Sequence, residues 1–379
     1  MGGNAFNARL PNAAFPRIKP QLYHQLKDQL TVRLRTAYAL VAVPHEAPGK
    51  EDFGDIDFVV CQPIAGLDLD SLCTALGAQH VINLGKVYNL AVPLQDGNCF
   101  CQLDIHVCAD PDDWHRTLFF LSYGDLCMIL GLMARASSLS FSRHGLKLAK
   151  PLPTSPEMTF MLCSSIPRIL DFYSLSADRW QQGFTSEADI FSWLSASRLF
   201  LPARLLTSEA TNTSGLKARD ARPMYQRFLI YARQQHEMTG KASVSAPSAA
   251  DAIDFFGKRD LYNVLLHIAA AKKHIQTVFT GKLVQGWTGI SGKPVRYIMD
   301  GVKKKLGGED VLPVVAGVRI DSLKADSIPT MHLTLKIWES AMAELSAAQV
   351  QAVVVAVKEE LVAAGELQYD RKAVAQKEA

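Results

Sequence analysis

The sequence predicts an α+β protein: a short mixed sheet flanked by helices, followed by an α-helical domain. Three observations predict it. Between residues 38 and 108, short runs rich in Val, Ile, Leu and Phe are punctuated by Gly, Pro, Asn and Asp, the mark of strands and turns. Beyond residue 150, apolar residues recur at three- and four-residue spacing, the mark of helices. The proline-rich stretch 150–156 separates the two regimes.

In chain order, residues 16–36 predict an amphipathic helix with Leu22, Leu26 and Leu30 inward and Lys27, Arg33 and Arg35 outward. A strand is expected over 38–43 and a second one from Gly54. Residues 69–78 predict a helix stopped by Gly77, and strands follow over 81–83 and 87–92, around Gly85-Lys86. Gln95-Asp96-Gly97-Asn98 is an Asp-Gly hairpin turn leading into a strand around Asp104. Asp110-Pro111-Asp112-Asp113 is a turn whose carboxylates cap a helix. Residues 124–136 form the next helix, with Leu126, Ile129, Leu130 and Met133 on one face. Residues 141–148 read as one strand near the site.

Helices are expected over 166–173 and 186–196, loops over 207–221 and 238–250, and a long helix over 254–279 with Leu261, Val264, Leu265, Ile268 and Ile275 buried. Ser346-Ala347-Ala348-Gln349 is a capping box for a helix that Gly365 ends, and 370–379 is a charged, fraying end. Domains of 1–150, 151–310 and 311–379 follow, consistent with a chain of 379 residues being too long for one typical core.

The chemistry is concentrated in Gly54-Asp55-Ile56-Asp57-Phe58-Val59-Val60 and in Gln102-Leu103-Asp104-Ile105-His106-Val107. On a strand, residues two apart share a face. Asp55 and Asp57 therefore project side by side, about 6–7 Å apart, while Ile56 and Phe58 point to the other layer. Two like charges at that spacing are costly unless a cation lies between them. With Asp104 on a neighbouring strand, three carboxylates form a hard-oxygen cage for Mg²⁺ whose other ligands are substrate phosphates.

Gly-Asp-x-Asp followed by a later apolar-Asp-apolar strand resembles the nucleotidyltransferase superfamily, which includes DNA polymerase β, CCA-adding enzymes and poly(A) polymerases. The resemblance is clearest over residues 38–108 and extends to about 150. Met1-Gly2-Gly3-Asn4-Ala5-Phe6 also resembles the start of uncharacterised phage and fungal members. The resemblance implies a nucleotidyltransferase head in which Asp55 and Asp57 hold two Mg²⁺ ions and Asp104 helps to activate the attacking hydroxyl. It implies an NTP as substrate and transfer to a hydroxyl, foremost the 3′ end of a tRNA-like RNA, in a cleft between head and helices.

One departure is visible. Family members carry a Gly-Ser pair upstream of the Asp pair to cradle the triphosphate, and here residues 43–53 read VPHEAPGKEDF. Gly49-Lys50, just ahead of Gly54, can take that role, since glycine admits a phosphate to the backbone and lysine adds positive charge. Glu46, Glu51 and Asp52 oppose it. Lys86, Arg143 and Lys147 are the other candidates for triphosphate oxygens, and solvated strand-edge charge is the alternative for the last two.

The net charge of +3 does not by itself demand a nucleic-acid partner. Residues 282–305, however, hold Lys282, Lys293, Arg296, Lys303, Lys304 and Lys305 against Asp300 alone, beside the turn Trp287-Thr288-Gly289-Ile290-Ser291-Gly292. This segment is similar to the Gly-rich turn of tRNA-repairing nucleotidyltransferases and suits a phosphate backbone and a stacked base. Trp287 as core and the lysines as a solvated helix end explain it equally well.

Seven cysteines without a regular framework fit free thiols in a reducing, intracellular setting, cytoplasmic or nuclear. Cys99, Cys101, His106, Cys108 and His115 lack the spacing of a zinc knuckle, so no zinc is expected. No apolar run reaches the length of a membrane span, and no membrane partner is expected. Transfer to a small-molecule or protein hydroxyl, and a non-catalytic nucleic-acid-binding module with a vestigial head, stay open beside the RNA reading.

Overall fold

A computed structural model describes residues 3–94, 98–212, 215–239, 247–323 and 328–367. The hairpin turn at 95–98 and the charged end at 370–379 therefore lie largely or wholly outside the described residues. The chain is of α+β class. It divides into two compact units, one of residues 1–150 with 161–256 and one of residues 151–160 with 257–379.

The first unit is built on a five-stranded sheet. Its elements are α1 (Pro20–Leu34), β1 (Tyr38–Ala42), β2 (Asp55–Pro63), α2 (Leu69–Leu76), β3 (His80–Asn83), β4 (Val87–Pro93) and β5 (Phe100–Cys108). The strand order is β1-β2-β5-β4-β3, with β2 and β5 parallel and the other neighbours antiparallel. One face carries Ile56, Phe58, Val60, Leu90, Leu103 and Ile105 into a core closed by Tyr23, Leu30 and Leu34 of α1 and Leu72 and Leu76 of α2. In α1 the inward positions are Tyr23 and Leu30, whereas Leu22, expected inward, is 41% exposed. The helix starts only at Pro20, and the sheet selects the stripe through Tyr23, whose larger ring buries more apolar surface.

The other face is shared by two covers. Val59, Cys61 and Cys108 pack against Trp114, Leu118 and Leu121 of α3 (Pro111–Leu121), whose start is capped by Asp110 accepting from the Asp113 N–H. Ala91 and Phe100 pack against Phe6 and its neighbours in the amino-terminal segment. Cys101 and Cys108 fall in clusters on opposite faces of the sheet.

The unit continues with α4 (Leu126–Ala136), a second sheet of β6 (Leu139–Ser142), β7 (Gly145–Leu148) and β8 (Met161–Cys163), then α5 (Ile166–Tyr173), α6 (Ala177–Gln182), α7 (Glu187–Ser195), α8 (Pro202–Thr211), α9 (Leu216–Asp220), α10 (Pro223–Thr239) and α11 (Ala249–Phe255). Two expectations are corrected here. The single strand over 141–148 is a hairpin turned at Arg143-His144. Gly145 permits it, at φ +117, where a Cβ would lie 2.2 Å from the Cys163 carbonyl. The loop expected over 207–221 is mostly helical, because Arg219 packs with Glu209 across it at 2.7 Å.

The second unit comprises α12 (Arg259–Val278), α13 (Gly281–Thr288), α14 (Pro294–Lys305), the short ladder β9 (Val314–Val315) and β10 (Val318–Arg319), α15 (Ile337–Ala343) and α16 (Ala347–Ala363). The helix expected from 254 is broken at Gly257, which adopts φ +66 and separates α11 from α12. Ser346 and Gln349 form the expected capping box of α16.

Candidate active site

The parallel register of β2 and β5 builds the site. Asp57 pairs with Asp104, Asp55 with Gln102 and Val59 with His106, so Asp55, Asp57, Gln102, Asp104 and His106 share a face. Asn89 joins them, paired with Asp104 from β4. This polar strip lies on the face that α3 and the amino-terminal segment share between them. Phe53 fixes the entry to β2 by exchanging main-chain hydrogen bonds with Ile18 and stacking on Tyr23 at 3.7 Å.

Each carboxylate is held through one oxygen. The Gly3 N–H donates to Asp55 Oδ2 at 3.1 Å. His106 Nε2 lies 3.1 Å from Asp57 Oδ1. Asp104 Oδ1 accepts from Asn89 Nδ2 at 2.6 Å and from Gln102 Nε2 at 2.9 Å. Burial pushes the Asp104 carboxyl up to about 6, with the charge of Asp57 next in importance and the two amide donors pulling the other way. Asp55 is raised as well, first by burial and then by Asp57. These carboxylates are charged groups short of a counter-charge.

Among the described residues, the side chains as placed form no set of three His, Cys, Asp or Glu ligands around one point. The donor chemistry nonetheless fits a hard divalent cation. Three carboxylates face the same side, and each has a second oxygen outside the hydrogen bonds just described. A cation would offset the burial and the mutual repulsion that raise Asp55 and Asp104.

The expected triphosphate ligands are spread more widely. Gly49 sits in an open turn at φ +75. Lys50 pairs with Glu46 at 2.5 Å and lies over the Phe53 ring at 4.8 Å, within electrostatic reach of Asp55. Glu46 in turn accepts from the buried Tyr23 hydroxyl at 2.5 Å. Gly54 lies beside Gly3. Lys86 is 4.0 Å from Asp113 of α3. Lys147 lies on β7 of the second sheet and Arg143 in the turn between its β6 and β7, not on the sheet that carries the carboxylates.

In the second unit, Trp287 is partly buried against the cluster of Val284, Ile298, Val302 and Trp338. Lys293 precedes α14 at its N-cap. Arg296 and Lys303 pair with Asp300 at 3.7 and 3.3 Å, Lys303 also reaches Glu309 at 3.5 Å, and Lys305 pairs with Glu360. Lys304 is exposed.

Sequence reasoning did not assign Gly3, Ala5, Asn89 or Gln102 to the site, nor the contact of His106 with Asp57. For Gln102 and His106 the signal was present, since both lie two residues from Asp104 on one strand. Asn89 is a lone polar residue in an apolar strand. Gly3 and Ala5 were noticed only as part of the opening stretch 1–6 and Glu46 only as a charge opposing a phosphate, and nothing local marks Tyr23.

No family model matches the sequence, and no curated protein does. Among solved structures, the chain is similar to a Leishmania infantum polymerase beta ternary P/T complex, at 13% identity and a TM-score of 0.26, over 36% of this chain and 59% of that one. A ternary gap complex of Leishmania infantum polymerase beta gives 12% identity and a TM-score of 0.26, over 48% and 68%. The chain thus spans about three fifths of the first of these. A likeness at this level assigns this chain to no family.

Proposed function

We propose that this protein is a Mg²⁺-dependent nucleotidyltransferase that moves a nucleotidyl group from an NTP to a hydroxyl acceptor. The observation that carries the reading is the placement of Asp57 beside Asp104, with Asp55 on the same face, in a sheet whose opposite face is an apolar core. Such a strip is electrostatically unfavourable by itself and becomes favourable on binding cations and phosphates.

In the proposed step the acceptor oxygen bonds to the α-phosphorus, the bond to the β-phosphate oxygen breaks, pyrophosphate leaves and the hydroxyl proton is released. Asp55, Asp57 and Asp104 are the residues that would hold the metal ions. When bound, Mg²⁺ supplies charge that stabilises the attacking and leaving oxygens. Asn89 and Gln102 fix one Asp104 oxygen, and His106 restrains Asp57, so the carboxylates meet a substrate already oriented. Asp104, paired with Asp57 and fixed through one oxygen by Asn89 and Gln102, is placed to help activate the attacking hydroxyl. Gly49 and Lys50 are the nearest candidates for the triphosphate, and a phosphate there would have to draw Lys50 from Glu46.

For the acceptor we assign an RNA 3′ end, on the exposed Lys282, Arg296 and Lys304. A small-molecule or protein hydroxyl is favoured instead by the ion pairs that occupy Lys303 and Lys305 and by the packing of Trp287. Incubation of the purified protein with Mg²⁺, each labelled NTP and total RNA, with Asp57→Asn as control, tests the reading. Label joined to RNA by the wild type alone supports it. No Mg²⁺-dependent NTP binding would leave a non-catalytic module.

A further inference from the structure

We infer that the amino-terminal segment Gly3–Ala5 sets the geometry of the carboxylate strip, with Gln102 as the positioning residue that transmits it. The inference rests on the strip being the reactive centre proposed above. Two main-chain N–H groups of one short segment reach it. Gly3 donates to Asp55 Oδ2 at 3.1 Å, and Ala5 donates to Gln102 Oε1 at 2.9 Å.

The second contact has a consequence for Asp104. A main-chain N–H can only donate, so Gln102 must turn its carbonyl oxygen toward Ala5. Its NH₂ group then faces Asp104 and donates to Oδ1 at 2.9 Å. Gln102 is only 3% exposed, so a flipped amide would lose both bonds with no water to replace them. One segment therefore fixes Asp55 directly and Asp104 through one amide.

The segment is built to stay in place. Phe6 is 1% exposed, packed with Ile82, Ala91 and Phe100, and its ring stacks on Phe15 at 5.3 Å. Ala14 donates to the Asn98 carbonyl and accepts from the Phe100 N–H, tying the segment to the start of β5. Gly3 is required where it stands. It adopts φ +83, and a Cβ there would lie 2.3 Å from the Gly54 carbonyl oxygen. Both sides of that clash are backbone, and Gly54 is bonded to Asp55, so relief moves either the segment or the carboxylate.

The test uses the full-length protein. Gly3→Ala and Gln102→Met should each raise the Mg²⁺ dissociation constant by calorimetry about 10-fold or more, the scale of losing a group that orients metal ligands. In both, kcat should fall while KM for the NTP stays within about twofold. Arg9→Ala is the control, since Arg9 is exposed in the same amino-terminal stretch but outside Gly3–Ala5; it should behave as wild type. In the wild type, the Gln102 side-chain NH₂ signals should be protected from exchange by NMR, and Gly3→Ala should shift them and remove the protection. A Gly3→Ala protein with unchanged Mg²⁺ affinity and unchanged Gln102 signals would overturn the inference. If the wild type binds no Mg²⁺ and transfers no nucleotide, the functional reading falls instead, and the Gln102 signals alone decide whether the segment orients the strip.

Discussion

Two charged regions of this molecule are organised in opposite ways. On the polar face of the first sheet, Asp55, Asp57 and Asp104 stand together and are held mainly by neutral donors: the Gly3 N–H, Asn89 and Gln102. In the second unit, the cations of α14 are matched within the protein by Asp300, Glu309 and Glu360. The first region bears an electrostatic penalty that a ligand can remove, whereas the second has largely been neutralised by its own fold. Charge density in a sequence therefore says less than where the counter-charges fold to. Exposed ion pairs contribute little to stability, but they do compete with an incoming phosphate.

The largest expected effect breaks the first side of this comparison. Asp57→Asn should lower the rate of nucleotidyl transfer by about 10²–10³ or more, the scale of losing a transition-state contact. Steady-state kinetics with full activity would remove the strip from the chemistry.

Trp287→Ala sharpens the second side. The indole packs against Val284, Ile298 and Val302, so its loss should cost about 2–4 kcal/mol in chemical denaturation, with RNA affinity unchanged. Weakened RNA binding at unchanged stability would make Trp287 a stacking platform instead.

A smaller effect tests the penalty itself. Folding raises the Asp104 pKa from its ordinary 3.8 to about 6, first through burial, so the charged form is disfavoured in the native state. That cost is fully present above pH 6 and disappears as pH falls through 6 to below 3.8, where the carboxyl is protonated in both states. Asp104→Asn should then stabilise the metal-free protein by about 1–3 kcal/mol at pH 7.5 and by almost nothing at about pH 3. Equal melting temperatures of the two proteins at pH 7.5, or an undiminished difference at about pH 3, would contradict the account.

The smallest effect concerns the lysines. Lys303 and Lys305 are paired, leaving Lys304 as the cation of that run best placed to release a counterion. Changing all three to Ala should flatten the dependence of log RNA affinity on log salt by roughly 0.7–0.9, the value of a single phosphate contact. A change of two or three times that size would mean that the ion pairs open on binding.

Much of the carboxylate strip was legible because period-two alternation is a local property. Asp55, Ile56, Asp57 and Phe58 assign their own faces on any strand, and Gly77 and the Ser346–Gln349 box likewise announce helix ends without help from distant residues. The orientation of α1 was less legible. Its apolar residues permit more than one inward stripe, and only the sheet beneath selects Tyr23 over Leu22. The hairpin at Arg143-His144 was hidden for a related reason, since its turn depends on Gly145 accommodating the Cys163 backbone.

By itself, the sequence determined the α+β class, most strand and helix positions, and the pairing of two aspartates on one strand face. All of these follow from propensity and periodicity within a short window. Tertiary structure alone decided the rest: that β2 and β5 run parallel in a register placing Asp57 beside Asp104, that Gly3 and Ala5 reach across to Asp55 and Gln102, and that Glu360 pairs with Lys305 of α14. Each joins residues far apart in the chain, and the free energy that selects it comes from burial and charge summed over the whole fold. No local window of sequence contains that sum.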